Sequence, residues 1–158
     1  MKQFATIKPF ETIRSLHIIG HQIDVIFDRL LQAEFGMTLS RFRILLPLIE
    51  LGPSTQSAVA KFNFVTEASI GRQVRLLVET GYVKQVPCKV DARKCYLTLT
   101  KKTEQLVPKI MTRLSEEIAV LYGEVSPTEF AALDTLLGKL LSLGSAATST
   151  AQDVICTH

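Results

Sequence analysis

The stretch from Thr66 to Thr100 constrains this chain more than any other, because its apolar period changes once, at a glycine. Ile70, Val74 and Leu77 recur at helical spacing. After Gly81 the pattern turns to alternation, with Cys95, Leu97 and Leu99 on one side of CYLTLT and Tyr96, Thr98 and Thr100 on the other. Helical side chains recur every three to four residues and strand side chains every second one, so no single element accommodates both periods. The stretch therefore reads as a helix over 68–80, capped by Thr66 and stopped by Gly81. A hairpin with strands over 82–87 and 95–100 follows, with 89–94 as its loop.

The flanks are helical. Ile13, Leu16, Ile19, Ile23, Ile26 or Phe27, and Leu30 mark a long amphipathic helix over 10–35 that Gly36 ends, and Phe42, Leu45, Leu46 and Ile49 mark a second over 40–51, bent at Pro47. Gly52-Pro53 breaks the chain. Ser54 or Thr55 caps a short helix to Phe62 that buries Val59 and Phe62, and Asn63-Phe64-Val65 is a turn. Leu106, Ile110, Leu114, Ile118 and Leu121 give a helix over 101–122 with a kink predicted at Pro108. Ser126-Pro127-Thr128-Glu129 is a capping box opening a last helix with Phe130, Leu133, Leu136, Leu137, Leu140 and Leu141.

The order predicts a mainly α (α+β) protein, a winged helix-turn-helix over 36–100 held between long helices over 1–35 and 101–144, with 145–158 as a flexible tail. The terminal helices carry more apolar stripe than one small domain covers, which predicts that they form a dimerisation bundle with a second copy.

At 158 residues, 47% hydrophobic and 21% charged, the chain has the composition of one globular domain. It has no apolar run long enough for a membrane span and no secretory h-region, which predicts a cytoplasmic protein without a membrane partner. Cys88, Cys95 and Cys156 are an odd, sparse set that fits a reducing compartment. Charge is uneven. Between Pro53 and Thr103 nine Lys or Arg face three acids, a balance of +6, while the remainder holds nine against twelve, −3. The middle is suited to a polyanion, although charge alone leaves a solvated basic face equally open.

Side-chain chemistry sharpens that reading toward double-stranded DNA. A helix in the major groove approaches the base edges with its first turns, which then need short side chains. Thr66, Ala68 and Ser69 meet this need. Arg72, one turn on, can reach guanine with two parallel hydrogen bonds, Gln73 can pair with adenine or touch a phosphate, and Arg75 can hold backbone. Ser54, Thr55, Gln56 and Ser57, at a helix start, offer hydroxyls and free N–H groups to phosphate, with plain capping as the alternative for Ser54 and Thr55. Lys89, Arg93 and Lys94 crown the hairpin, which can lie along the duplex and push Arg93 into the minor groove. An ordinary exposed helix face and a solvated loop are the alternatives without DNA.

With these residues assembled, the chain resembles the MarR family of bacterial winged helix-turn-helix transcriptional regulators over about 10–143. Asp91, Arg93, Leu97, Leu99 and Thr100 match the family's D-x-R and L-x-L-T at the family spacing. LSRFRIL (39–45), Gly52-Pro53, Thr55-Gln56-Ser57 and Val83 after Gly81 also match. The resemblance implies a homodimer on a palindromic operator, a repressor role, and Asp91 holding the Arg93 guanidinium. It implies no catalytic cofactor but a small-molecule effector, commonly an aromatic anion, in a pocket that Arg14, His17, Arg41 and Arg43 can supply; Arg43 has a structural ion pair as its alternative. Two positions depart from the pattern. Thr103 stands where the family has Gly, which predicts only a local change of turn. Glu67 is an acid close to DNA, serving its helix dipole or accepting from a cytosine amino group.

Other chemistries are less well supplied. His17 and His21 are four apart on one helix, a metal spacing, but no Cys or acid obviously converges on them. Cys88 and Cys95 flank the wing, where a thiol-based redox switch is the alternative to inert strand cysteines. No base adjoins a nucleophile and no phosphate-binding glycine loop occurs, so the reading is not an enzyme. A winged module used only for protein contacts is the remaining alternative.

Overall fold

A computed structural model of the chain describes residues 8–87 and 95–155. The elements run α1 (Lys8–Phe35), α2 (Leu39–Glu50), β1 (Ser54–Thr55), α3 (Gln56–Phe62), α4 (Glu67–Glu79), β2 (Val83–Pro87), β3 (Cys95–Leu99), α5 (Lys101–Tyr122) and α6 (Pro127–Ile155). They fall into two compact units, Met1–Leu114 and Ser115–His158.

In the first unit α1 ends where its period predicts. Gly36 takes a left-handed φ of +62° and donates to the Gln32 carbonyl at 3.2 Å, closing the helix as a residue without Cβ can. Thr38 caps α2, and the Asp28 carboxylate reaches across from α1 to accept from the Leu39 N–H at 2.8 Å, so the turn between the helices is tied at both ends. Pro47 and Pro108 lie inside α2 and α5, and both helices run through them. Leu31, Met37, Phe42, Leu45, Val59, Val74, Leu77, Val83, Leu97 and Ile110 form one core that α1, α2, α3, α4, the sheet and α5 all enter. Truncating a fully buried member such as Leu77 to Ala costs about 2–5 kcal/mol.

The sheet holds one strand more than the hairpin predicted from sequence. Its order is β1-β3-β2, antiparallel throughout, with Ser54 opposite Leu97 and Thr55 opposite Tyr96 on one side, and Val83 opposite Leu99 through Pro87 opposite Cys95 on the other. Leu97 at the centre is buried. The wing is thereby sewn to the front of α3. The tip of the wing, with Asp91, Lys89, Arg93, Lys94 and Cys88, lies outside the described residues.

Thr103 does more than the predicted local change of turn. It is fully buried, and its hydroxyl donates to the Tyr82 carbonyl at 2.6 Å and lies 3.1 Å from the Thr100 hydroxyl, which itself bonds the Gly81 carbonyl at 2.8 Å. The first turn of α5 is thus fastened to the first residues of the wing. Lys102 adds a cation 4.6 Å from the centre of the Tyr82 ring.

The second unit consists of the end of α5 and α6. Ser126 and Glu129 form the predicted capping box. The Glu129 carboxylate accepts from the Ser126 N–H at 2.8 Å and from its hydroxyl at 2.7 Å, and these bonds hold the Glu129 carboxyl below its ordinary pKa. α6 does not stop at Gly144 as expected. Its backbone continues helical to Ile155. Phe130, Leu133, Leu136, Leu140 and Leu141 are exposed along it, as are Phe10, Ile13, Ile18 and Ile19 along α1 in the first unit.

Candidate nucleic-acid interface

Hydrogen bonds hold the start of α4. Thr66 has extended backbone and its Oγ1 accepts from the Ser69 N–H at 3.2 Å, while the Ser69 hydroxyl donates to the Thr66 carbonyl at 2.7 Å. Gln56, in the first turn of α3, donates to the Glu67 carbonyl at 3.2 Å, locking the starts of the two helices together. Ile70, Val74 and Leu77 are buried. The opposite face presents Thr66, Ala68, Ser69, Arg72 and Arg75 to solvent, and neither arginine has an ion pair among the described residues. Two guanidiniums one turn apart beyond a first turn of short side chains suit a duplex groove: small groups permit close approach and the arginines reach acceptors.

Gln73 departs from the sequence reading. It is half-buried beside Val74, and its Oε1 accepts from the Arg41 Nε at 3.3 Å. The amide is turned toward α2, away from the exposed face, and Arg41 is committed to α4. Glu67 is the first residue of α4, where its charge complements the helix dipole.

At α3 the roles separate. Thr55 is the N-cap and accepts from the Ala58 N–H at 3.2 Å, whereas Ser54 is buried in β1 with its hydroxyl donating to the Gly52 carbonyl at 3.0 Å. Ser54 is therefore not a surface phosphate ligand, because pairing in the sheet turns it inward. Gln56 and Ser57 are half-exposed.

The four residues expected at an effector pocket are not brought together in the chain. Arg14 is exposed and pairs with Glu11 at 3.4 Å along α1, His17 is exposed on the same helix, and Arg41 faces α4. Arg43 makes the ion pair that was its alternative, with Asp24 of α1 at 2.5 Å. It borders an open hollow of about 350 Å³ between α1 and α2, together with His21, Asp28, Arg29 and Ser40. No cluster of three or more His, Cys, Asp or Glu side chains suited to a metal occurs among the described residues. Cys95 is an exposed free thiol opposite Pro87. No described helix is long and apolar enough to cross a membrane.

Comparison with known proteins agrees with this geometry. The sequence model of the MarR family matches residues 35–94, from the end of α1 to the wing. No curated protein sequence matches the chain. Among solved structures, the transcriptional regulator BldR from Sulfolobus solfataricus superposes with a TM-score of 0.77 at 22% identity, over 90% of this chain and 99% of that one. A mutant of MarR from E. coli complexed with operator DNA gives 0.73 at 22% identity, over 89% and 99%. A MarR/EmrR family regulator from Acinetobacter sp. ADP1 gives 0.75 at 19% identity, over 89% and 99%. At these identities the likeness establishes the fold: a winged helix with long terminal helices.

Proposed function

We propose that this chain, whose residues 35–94 match the sequence model of the MarR family, is a dimeric DNA-binding transcriptional regulator acting in the cytoplasm. The observation that carries the reading is the outer face of α4, with Ala68, Ser69, Arg72 and Arg75 exposed beyond a helix start that Thr66 and Gln56 hold in place. α4 enters the major groove, Arg72 reads a guanine, Arg75 and the start of α3 at Thr55, Gln56 and Ser57 meet phosphates, and the wing residues Lys89, Arg93 and Lys94 follow the backbone to the minor groove.

The exposed apolar face of α1 and that of α6 each pack against a second copy, since side chains such as Phe10 and Leu136 gain by leaving water. Two α4 helices about 34 Å apart then meet successive major grooves of a near-palindromic operator. The regulator acts as a repressor, and a small aromatic anion releases it by binding better to a dimer whose helices have the wrong separation.

Fluorescence anisotropy on a labelled duplex, titrated with salt, tests the reading. Affinity should fall by orders of magnitude between about 50 and 200 mM salt, as expected when about 6–10 phosphates are neutralised. Absence of duplex binding at the lower salt contradicts it.

A further inference from the structure

We infer that Phe64 is an apolar DNA contact in the turn leading into the recognition helix, and that its partner is the C5 methyl of a thymine at the edge of the major groove; the inference rests on the DNA-binding reading above. Among the described residues Phe64 is the sole non-glycine with positive φ, +54°, and at 84% exposure it is the most exposed large apolar side chain. The other left-handed positions are all glycines: Gly36, Gly52 and Gly81.

The turn demands this backbone whatever the side chain. The Phe64 N–H donates to the Lys61 carbonyl and the Val65 N–H to the Ala60 carbonyl, both at 3.0 Å. Asn63, a residue type that tolerates left-handed geometry, stands one position too early at φ −88°, its amide spent on the Val59 carbonyl at 2.9 Å. Phenylalanine at 64 therefore strains the backbone and exposes a ring to water while contributing almost no burial to the fold. Such an outlier points to a use outside the fold.

Position says what that use is. Phe64 lies two residues before the N-cap Thr66, between exposed Lys61 and the exposed first turn of α4, and Val65 beside it is 44% exposed. A recognition helix meets base edges with its N-terminal turn, so the residues that lead into it arrive at the groove wall with it. On the major-groove edges of the bases the apolar group is the thymine methyl.

The test pairs two variants with a modified duplex. Phe64→Asn keeps a residue type that accepts the left-handed backbone and removes the ring; Phe64→Tyr keeps the ring. For Phe64→Asn the expectation is a melting temperature equal to or above wild type and a loss of about fourfold in affinity per half-site, the worth of one buried methyl. Phe64→Tyr should bind as wild type does. Replacing one thymine per half-site by deoxyuridine should weaken the wild type by the same factor and leave Phe64→Asn unchanged.

A lower melting temperature for Phe64→Asn would make Phe64 a packing residue and overturn the inference, as would wild-type affinity in that variant. Equal losses for both proteins at every deoxyuridine position would overturn the thymine assignment. A wild type that binds no duplex at low salt overturns the DNA-binding reading itself, a result distinct from these.

Discussion

The Thr103 hydroxyl donates to the Tyr82 carbonyl at 2.6 Å, joining the first turn of the long helix α5 to the root of the wing. The bond is buried, so Thr103→Val, which keeps the shape and deletes the donor, should cost about 1–2 kcal/mol. Thermal unfolding should show a loss of a few degrees. Thr103→Gly should lose more, because it also leaves a void and a poorer helix former.

Gly71 lies in the middle of α4, where glycine costs about 1 kcal/mol against alanine. A Cβ built there meets the Gln56 Nε2 at 3.5 Å, ordinary van der Waals contact with the end of a flexible side chain. Gly71→Ala should therefore stabilise the protein by about 0.5–1 kcal/mol in denaturant unfolding. Destabilisation would mean that α3 and α4 pack more closely than the Gln56 contact indicates.

Arg72 and Arg93 should fail differently. Removing a bidentate base contact costs about 1–3 kcal/mol at one base pair, so Arg72→Ala should relax the preference at one position of each half-site. Arg93→Ala should weaken binding to all sequences alike and lower the salt slope. Binding measured against a panel of single-base operator variants separates the two.

Glu129 gives a pH dependence of known sign. Its folded pKa is lowered by the hydrogen bonds from Ser126, so its contribution is present above the ordinary value of 4.5 and is lost as pH falls through the folded value. The stability difference between wild type and Glu129→Gln should be constant above that ordinary value and shrink below it, as followed by circular dichroism. A difference that grows on acidification would contradict the capping geometry.

The helices were legible because each writes its buried face at a fixed period, and the turns because Gly36, Gly52 and Gly81 hold left-handed backbone that other residues rarely adopt. β1 was not legible: at two residues it has no period, and it exists because β3 offers Ser54 and Thr55 an edge. Nor was the inward turn of Gln73, since helical spacing gives an approximate direction while Arg41, distant in sequence, supplies the partner. The role of Thr103 was not legible either, because its acceptor, the Tyr82 carbonyl, is distant in sequence. The four basic or imidazole side chains expected at an effector pocket share a chemistry, but helix geometry directs them to different neighbours.

Selection of bound duplexes from a random pool by the purified wild-type protein tests the central claim most directly. The account predicts an inverted repeat whose half-sites are centred about 10 base pairs apart, one for each α4 of a dimer. Recovery of unrepeated sequences, or no enrichment at low salt, would contradict it.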